Sequence, residues 1–202
     1  MRYMKPGFVN FAEAGKVTNY RGESCMNLFE AIETRYSHKE GFLPDPVPIT
    51  DLEQIAKAGL AAPSGVNRQT VHLIILPNRE ALEPISNITP KKGLVTAPAA
   101  IAVLTDGSLT PPDRTNFEKE DYSAVVENML LAATALGYAS LWLDSPFFDE
   151  TVQQSAKDLL GVPEGFHLWA VLPIGKPDGD GTRREKLSFS ARVSYGRYGG
   201  QN

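Results

Sequence analysis

The chain has 202 residues, 42% of them hydrophobic and 22% charged, which is typical of one soluble globular domain with a sizeable core. Its formal net charge of −4 excludes the basic footprint of a nucleic-acid-binding protein, and no apolar run reaches the ~18–20 residues that a membrane-spanning helix needs. Cys25 is the only cysteine, which excludes an internal disulfide and a thiolate metal site; together with the lack of a signal-peptide core, this predicts a cytoplasmic protein.

We predict an irregular N-terminal arm over residues 1–26, followed by a single domain over residues 27–202. The arm mixes glycine, proline, asparagine and aromatic residues without a helical or strand period. A disordered leader and an ordered arm lying on a partner subunit therefore stay open as alternatives. Asn27 and Glu30 then match a capping box, which predicts a first short helix.

A second helix is predicted to begin at a capping box of Thr50 and Glu53 and to end near Leu60. It leads into a polar loop, Ala62–Gln69, and then into the apolar run Val71–Leu76, which predicts a buried strand. A loop held between two rigid elements is a common place for function. On chemistry alone, an ordinary connector is the simpler alternative, because proline, serine, glycine and asparagine are common turn residues.

The rest of the chain alternates between predicted helices and strands. Asn78 is expected to cap a short helix that Pro84 stops, and Asp121 is expected to open a long core helix ended by Gly137. The other predicted elements are strands at Ala99–Leu104, Tyr138–Leu143 and His167–Ile174, a helix at Glu150–Leu160, and a tail with strand-like alternation over residues 187–202. This interleaving predicts an α/β or α+β sandwich.

Several well-known catalytic motifs are missing from the sequence. It contains no phosphate loop, no dinucleotide fingerprint after a strand, no nucleophile elbow and no H-E-x-x-H helix. The three histidines, His38, His72 and His167, are isolated from one another, so we predict no metal site and interpret the last two as ordinary strand residues.

Two basic clusters are candidates for anion binding. Arg35, Ser37 and Lys39 recur at every second position, so an extended backbone would project all three side chains to one side. A guanidinium, a hydroxyl and an ammonium on one face suit a phosphate. Arg183 and Arg184, followed by Lys186, form the second cluster. Solvated surface charge is the alternative for both clusters.

Taken in order, five segments of the chain resemble the nitroreductase-like family of FMN-dependent flavoproteins. They are Glu33–Lys39 (ETRYSHK), Ala62–Gln69 (APSGVNRQ), Asp121–Gly137 (DYSAVVENMLLAATALG), Leu160–Gly165 (LGVPEG) with its following Ile174–Pro177 (IGKP), and the late pair Arg183-Arg184. The resemblance covers roughly residues 27–187. No single motif is specific, but five in register identify the chain as similar to this family.

The resemblance implies an α+β fold with a central, mostly antiparallel sheet flanked by helices, in a domain-swapped homodimer. It also implies two FMN molecules at the subunit interface and NADH or NADPH as the electron donor. The cofactor-binding residues that it implies are Arg35, Tyr36, Ser37, Lys39, Pro63, Ser64, Gly65, Asn67, Ser145, Pro146, Arg183 and Arg184. By position, Arg35 and Ser37 would hold the phosphate and ribityl region, Lys39 would approach the pyrimidine side of the ring, and Arg184 with Arg183 would close on the phosphate.

The remaining implied residues fall into two groups. The loop residues Pro63 to Asn67 would reach the flavin of the other subunit, and Ser145 with Pro146 would contact one edge of the ring. The sequence departs from the family at Tyr36, where a basic residue or histidine is usual, and after the loop glutamine, where Thr70-Val71 replaces a frequent Pro-Trp. These departures leave the substrate class open.

The function that the resemblance implies is an oxidoreductase that passes two electrons by ping-pong exchange to a small electrophile such as a nitroaromatic or a quinone. No side chain is needed as a nucleophile, so we assign no catalytic residue. Two alternatives stay open. One is a different flavin reaction on the same fold, such as reductive dehalogenation or substrate oxidation, and the other is a flavin-binding or redox-sensing protein without significant turnover.

Overall fold

A four-stranded sheet forms the centre of the computed structural model, which describes residues 17–18 and 24–200. The strands in chain order are β1 (Val17–Thr18), β2 (Ser24–Cys25), β3 (Val71–Leu76), β4 (Ala99–Asp106), β5 (Ala139–Ser140) and β6 (Phe166–Gly175). The helices are α1 (Leu28–Thr34), α2 (Ile49–Leu60), α3 (Arg79–Ile88), α4 (Lys92–Thr96), α5 (Glu118–Ala135) and α6 (Glu150–Leu159). The central sheet has the order β3-β4-β6-β5 with antiparallel pairing throughout, which confirms the predicted α+β class and the predicted antiparallel sheet.

Helices cover both faces of this sheet because β4 and β6 are apolar on both sides. Alternate residues of β4, such as Ile101 and Val103, belong to the core formed with α2 and α5, whereas Ala102 and Leu104 belong to the core formed with α3 and α6. This alternation is the period of two that a strand requires. A strand buried on both faces has a continuous apolar sequence, and residues 99–105 are all buried.

Helix α5 packs against α2 at unusually close range. A Cβ on Gly59 of α2 would lie 2.6 Å from Cγ of Met129 and 3.1 Å from Cγ1 of Val125, so only glycine allows this approach. The side-chain amide of Asn128 also donates to the carbonyl of Ala58 at 3.1 Å. The predicted core helix is therefore confirmed, and its position is fixed by apolar packing and by a hydrogen bond to its neighbour.

The first turn of α5 is joined to the sheet by the buried carboxylate of Glu118. This carboxylate accepts hydrogen bonds from the Thr105 hydroxyl of β4, from Nδ2 of Asn116 at 2.7 Å, and from Nδ1 of His167 of β6 at 2.8 Å. Burial alone would raise the pKa of Glu118, but these hydrogen bonds outweigh it and hold the pKa below its ordinary value. Trp169 completes the network by donating to the Thr105 hydroxyl at 2.7 Å.

Two helix starts differ from the sequence prediction. The second helix begins at Ile49 with Pro48 at its N-cap, so the predicted Thr50–Glu53 capping box is wrong. Thr50 already lies in the first turn, where a residue has helical backbone angles and cannot be the N-cap. The long helix begins at Glu118 and not at Asp121. The side-chain oxygen of Asn116 accepts from the backbone N–H of Glu118 at 2.8 Å, and Asp121 lies inside the first turn with its carboxylate buried. The capping box of Asn27 and Glu30 is confirmed.

Proline does not stop α3, contrary to the prediction. The helix is capped by Asn78 as expected but continues through Pro84 to Ile88. Proline removes the hydrogen bond that would reach the carbonyl of Glu80. Both residues are exposed, so water can satisfy that carbonyl, and Ile85 behind the proline is fully buried. The burial of the apolar face is thus retained at little cost in hydrogen bonding.

Three predicted strands also differ from the structure. The strand predicted to be buried at 71–76 is the edge strand β3, in which only Leu76 is buried. The strand predicted at 138–143 is reduced to Ala139–Ser140, because the chain leaves β6 there and meets it again only at an isolated bridge of Leu143. The tail through residue 200 has no strand, since it lies exposed and pairs with no strand in the described part of the chain. Of the N-terminal arm, residues 1–16 and 19–23 lie outside the described residues, and β1 pairs with β2.

Replacing Glu118 with glutamine should reveal its contribution to acid sensitivity. The folded pKa lies below the unfolded value, so the carboxylate stabilises the fold above the unfolded pKa of about 4.5 and loses that contribution as the pH falls through the folded pKa. We expect the variant to be less stable at pH 7 by roughly 1.5–3 kcal/mol, the usual value of hydrogen bonds to a charged group. Urea unfolding at pH 7 and pH 4 measures the difference.

The difference in unfolding free energy between wild type and Glu118→Gln should be smaller at pH 4 than at pH 7. Glu120→Gln, two residues further along on the exposed side of α5, provides the matched control and should change stability little at either pH. A gap that stays constant between the two pH values would contradict a depressed Glu118 pKa.

Candidate functional site

A cavity of about 900 Å³ lies between the segment that follows α1 and the segment that follows β6. We call it the cationic cavity and define it by its lining residues, which are Ile32, Arg35, Tyr36, Ser37, His38, Lys39, Glu40, Glu127, Gly181, Thr182, Arg183, Arg184, Lys186 and Arg192. It unites the two basic clusters that stand almost 150 positions apart in the sequence. Its volume is within the range of small-molecule and cofactor sites.

The segment from Arg35 to Lys39 is extended, as the alternation of its residues requires. Arg35 ends α1, where its backbone N–H donates to the carbonyl of Ala31 at 2.9 Å. Ser37 then forms a parallel bridge with Ser140 of β5. His38 is buried, with its ring 4.8 Å from that of Phe42 and its Nε2 2.7 Å from the carbonyl oxygen of Gly41.

Arg35 is oriented by an acidic residue on α5. Its Nε lies 3.4 Å from Oε1 of Glu127, and the Arg35 side chain is only 21% exposed. Such a pair is partly desolvated, and it restricts the long arginine side chain to one region of the cavity wall. The remaining guanidinium N–H groups make no hydrogen bond within the described residues, so they can serve an anionic ligand.

The tail segment reaches the cavity through a close contact with Tyr36. A Cβ on Gly181 would lie 1.7 Å from Cε2 of the Tyr36 ring, so the glycine is required for the tyrosine to lie against the backbone there. This contact places the following residues, Thr182 to Arg184, along the cavity. Tyr36 therefore lines the cavity and also fixes its second wall.

The side chains that line the cavity carry a net positive charge. Its lining includes six cationic side chains and two carboxylates, in a chain whose net charge is −4. Glu127 is paired with Arg35, and Glu40 bonds to Lys92 outside the cavity at 2.6 Å, which lowers the pKa of Glu40 and raises that of Lys92. No carboxylate within residues 24–200 forms an ion pair with the four tail cations, Arg183, Arg184, Lys186 and Arg192.

The predicted loop residues Pro63, Ser64, Gly65 and Asn67 do not line this cavity. They lie beyond the C-terminal end of α2, beside the N-terminal turns of α5, where the backbone N–H of Gly65 donates to Oδ1 of Asp121 at 2.7 Å. A Cβ on Gly65 would lie 2.3 Å from Cδ2 of Phe117. The loop therefore belongs to a second region of the surface.

Ser145 and Pro146 also lie outside the cationic cavity. They begin a 3₁₀ turn, Ser145–Phe148, in which Phe147 is buried and anchors the turn in the core. Ser145 itself is exposed. The predicted site residues thus fall into three groups in a single chain, and the structure brings together only Arg35, Tyr36, Ser37, Lys39, Arg183 and Arg184.

The sequence interpretation missed Glu127 and Arg192 as lining residues, and it missed Asp121 as a partner of the loop. Glu127 lies on a helix interpreted as a core element, and its charge was the one available signal that this face meets a polar region. Lys186 was grouped with the late arginines but was not assigned to the cofactor. Arg192 lies eight residues beyond Arg184, and only a fold of the tail back toward α1 brings it to the cavity.

Within the described residues, no group of three or more histidine, cysteine, aspartate or glutamate side chains is arranged to hold a metal ion. His167 is instead engaged with Glu118, and His72 packs edge-on against Phe166 with ring centroids 5.1 Å apart. None of the helices in that same part of the chain has the length and apolarity to cross a membrane.

Comparisons with known proteins give a consistent result. The model of the Nitroreductase family matches residues 32–95 and 89–176. The chain is 38% identical to a protein of Archaeoglobus fulgidus over 77% of this chain and 86% of that protein, and 34% identical to a protein of Methanothermobacter thermautotrophicus over 79% of this chain and 83% of that protein. Both relatives are provisionally named NADH dehydrogenase/NAD(P)H nitroreductase.

Solved structures agree with the sequence comparisons. A nitroreductase family protein of Clostridium difficile superposes with a TM-score of 0.69 at 27% identity, over 85% of this chain and 99% of that chain. A nitroreductase of Bacteroides fragilis, solved with bound FMN, superposes with a TM-score of 0.68 at 25% identity, over 85% of this chain and all (100%) of that chain. The fold, the matched family model and the identity to both relatives lead to one conclusion: the chain belongs to the Nitroreductase family.

Proposed function

We propose that the protein is an FMN-dependent oxidoreductase that transfers electrons from NADH or NADPH to a small electrophilic acceptor such as a nitroaromatic or a quinone. This proposal rests on the cationic cavity of a chain that belongs to the Nitroreductase family. The segment after α1 and the segment after β6 together place six cationic side chains around this cavity, and such a concentration of positive charge suits a phosphate group. The FMN in the related Bacteroides fragilis structure supports the choice of cofactor.

The residues of the cavity fit an FMN phosphate. Arg35 offers a planar fork of donors and is held in place by Glu127, while Arg183 and Arg184 on the tail have no carboxylate partner in the described part of the chain. Ser37 adds a hydroxyl donor on the same wall. We propose that these residues hold the phosphate and the ribityl region, with Tyr36 packing beside them.

Lys39 is the residue that we expect to affect the redox reaction. FMN, when bound, supplies the chemistry by accepting two electrons from NAD(P)H and passing them to the second substrate on the same face, which is ping-pong exchange. Lys39 is exposed at the end of the segment and lines the cavity without an ion-pair partner among the described residues. Its ammonium would stabilise the negative charge that reduction places on the pyrimidine side of the ring.

The separation of the site residues in one chain supports a homodimer. The loop residues Pro63 to Asn67 and the turn at Ser145 and Pro146 lie outside the cavity, although the family resemblance assigns both to the flavin. We propose that residues 27–202 form one domain and that the loop of each subunit completes the cavity of its partner. The apolar side chains of Leu28 and Ile32, which are exposed on α1, support an interface there.

An anaerobic titration tests the proposed function. The purified protein should contain flavin or bind added FMN, and NADH or NADPH should bleach the visible flavin absorption under nitrogen, with recovery on addition of a quinone. Flavin that is bound but reduced by neither nucleotide would favour a flavin-binding or sensing role. A protein that binds no FMN would refute the proposal.

Arg35→Ala should weaken FMN binding more than it weakens the fold. Loss of a charged hydrogen-bonding partner is worth roughly 1.5–3 kcal/mol, which corresponds to a ten- to hundredfold higher Kd. The fold should lose less than about 1 kcal/mol, because a partly exposed ion pair contributes little to stability. Fluorescence titration with FMN and thermal unfolding of the FMN-free chain measure the two effects.

The matched control for Arg35→Ala is Arg114→Ala. The Arg114 side chain is 69% exposed and lies outside the cavity, and its one ion pair among residues 24–200 is with Asp113, at 3.9 Å. Its replacement should leave FMN affinity unchanged. If Arg35→Ala retains wild-type affinity, Arg35 does not contact the phosphate.

Lys39→Met should lower the flavin midpoint potential while FMN stays bound. Methionine keeps most of the side-chain length but removes the charge that favours the reduced form. A loss of roughly 1.5–3 kcal/mol corresponds to a drop of about 30–60 mV for a two-electron couple. Spectroelectrochemical titration at one pH measures the potential, with Lys57→Met on the exposed side of α2 as the control. An unchanged potential with full FMN content would place Lys39 away from the ring.

A further inference from the structure

The loop between α2 and β3 is held in a strained conformation. Val66, Asn67 and Gln69 have positive φ angles of 48°, 57° and 54°, and none of them is glycine. Asparagine adopts this left-handed region more readily than most residues, but a β-branched valine rarely does. Strained backbone of this kind persists only where surrounding interactions enforce it, and it is concentrated at functional sites.

Hydrogen bonds within the loop close it on itself. The backbone N–H of Asn67 donates to the carbonyl of Ser64 at 2.9 Å, and that of Gln69 donates to the Ser64 hydroxyl oxygen at 3.0 Å. Ser64 therefore accepts at both its backbone and its side chain, while its O–H donates to no acceptor within the described ranges. These contacts fix the shape of the loop but do not fix its position on the protein.

The position of the loop is fixed by one buried carboxylate of α5. Oδ1 of Asp121 accepts from the backbone N–H of Gly65 at 2.7 Å, and Oδ2 accepts from the Thr70 hydroxyl at 2.9 Å. Asp121 and Thr70 are 2% and 1% exposed. A single side chain therefore holds the loop at its start and at its end. Because this side chain belongs to a buried helix, it restricts the movement of the loop relative to the core.

Two further contacts strengthen the attachment of the loop. Phe117, one turn earlier on the chain, lies against Gly65 in the space that any other residue would need for its Cβ. Arg68 donates from Nη1 to the carbonyl of Thr115 at 2.6 Å. The strained residues thus lie between attachment points on both sides, and they cannot relax without breaking one of them.

The strained residues point away from the protein that holds them. Val66 is 75% exposed, and the Asn67 side chain is exposed with no hydrogen bond to any residue in the described ranges. Glycine would adopt positive φ at these positions without strain, whereas valine and glutamine adopt it only at a cost in free energy. The geometry instead presents an amide, a hydroxyl and an apolar side chain in a fixed arrangement.

We propose that Asp121 is a positioning residue for cofactor recognition, which holds the strained loop so that Asn67 and Ser64 are already aligned to hydrogen-bond the polar edge of a flavin ring. The inference rests on the proposed function. Alignment before binding lowers the ordering entropy that binding would otherwise cost, so the strain contributes to FMN affinity. Folding stability and cofactor affinity should then respond oppositely when the strain is released.

Val66→Gly separates these two effects. Glycine relieves the strain at that position, so the FMN-free chain should unfold at the same or a higher temperature, while the Kd for FMN should rise at least threefold because the loop is no longer held in one conformation. Val95→Gly is the control: it removes a valine that is 47% exposed on α4. It should lower the unfolding temperature and leave the Kd unchanged.

A double-mutant cycle assigns the effect to Asp121. Asp121→Asn keeps an acceptor for Gly65 but places an N–H₂ group toward Thr70, and we expect about a tenfold higher Kd for FMN. In the Val66→Gly background the same substitution should raise the Kd less than threefold, because the conformation that Asp121 enforces is already lost. If Asp121→Asn does not fold, the comparison of Val66→Gly with Val95→Gly tests the proposal on its own.

Three results would overturn the inference. They are a Val66→Gly variant with wild-type FMN affinity, one whose affinity falls together with its unfolding temperature, and multiplicative effects of the two substitutions on the Kd. A wild-type protein that binds no FMN would refute the proposed function instead, so the two failures are distinguishable.

Discussion

The burial of α5 between α2 and the central sheet is the constraint on which the rest of the structure depends. Close packing at Gly59 fixes the helix, and three carboxylates along it then reach different parts of the molecule. Glu118 joins the sheet through β4 and β6, Asp121 holds the loop before β3, and Glu127 orients Arg35 in the cationic cavity. Asp121 and Glu127 are six residues apart, so they lie about 9 Å apart along the axis and about 120° apart around it. One rigid helix therefore positions both the cavity and the loop of the proposed FMN site and keeps them separate within the chain.

The distribution of charge explains how an acidic protein can bind a phosphate-bearing cofactor. The net charge of −4 belongs to the whole chain, whereas the lining of the cavity is rich in arginine and lysine. Each carboxylate there is already engaged, Glu127 with Arg35 and Glu40 with Lys92. The tail arginines lack such partners in the part of the chain that the structure describes. They would repel one another without a ligand, so an anion in the cavity would gain their attraction and relieve that repulsion.

The sequence predicted those features that depend on local periodicity and composition. Arg35, Ser37 and Lys39, predicted together from their spacing, line one cavity with the intervening Tyr36 and His38. The apolar runs at 71–76, 99–104 and 167–174 all lie in strands. Features that depend on distant partners were not predictable. Asp121 was predicted as the start of α5, but its carboxylate binds Gly65 and Thr70, more than fifty residues away. Thr50 matched a capping box, but Pro48 starts the helix earlier, and Pro84 is tolerated because its surroundings are exposed while Ile85 is buried. Whether β3 lies at an edge or in the middle of the sheet is likewise decided by its neighbours and not by its own residues.

The central claim is that the cavity of one subunit is completed by the loop of the other, and FMN binding by mixed dimers tests it most directly. One subunit would have Arg35→Ala, which disables its cavity, and the other would have Ser64→Ala with Asn67→Ala, which disables its loop. Differently tagged chains allow the mixed dimer to be isolated and its flavin content measured. A site shared between subunits predicts one FMN per mixed dimer, because the intact cavity faces the intact loop, and little FMN in either parent dimer. A mixed dimer as empty as both parents would contradict the claim, since a site formed within one chain would be defective in every subunit.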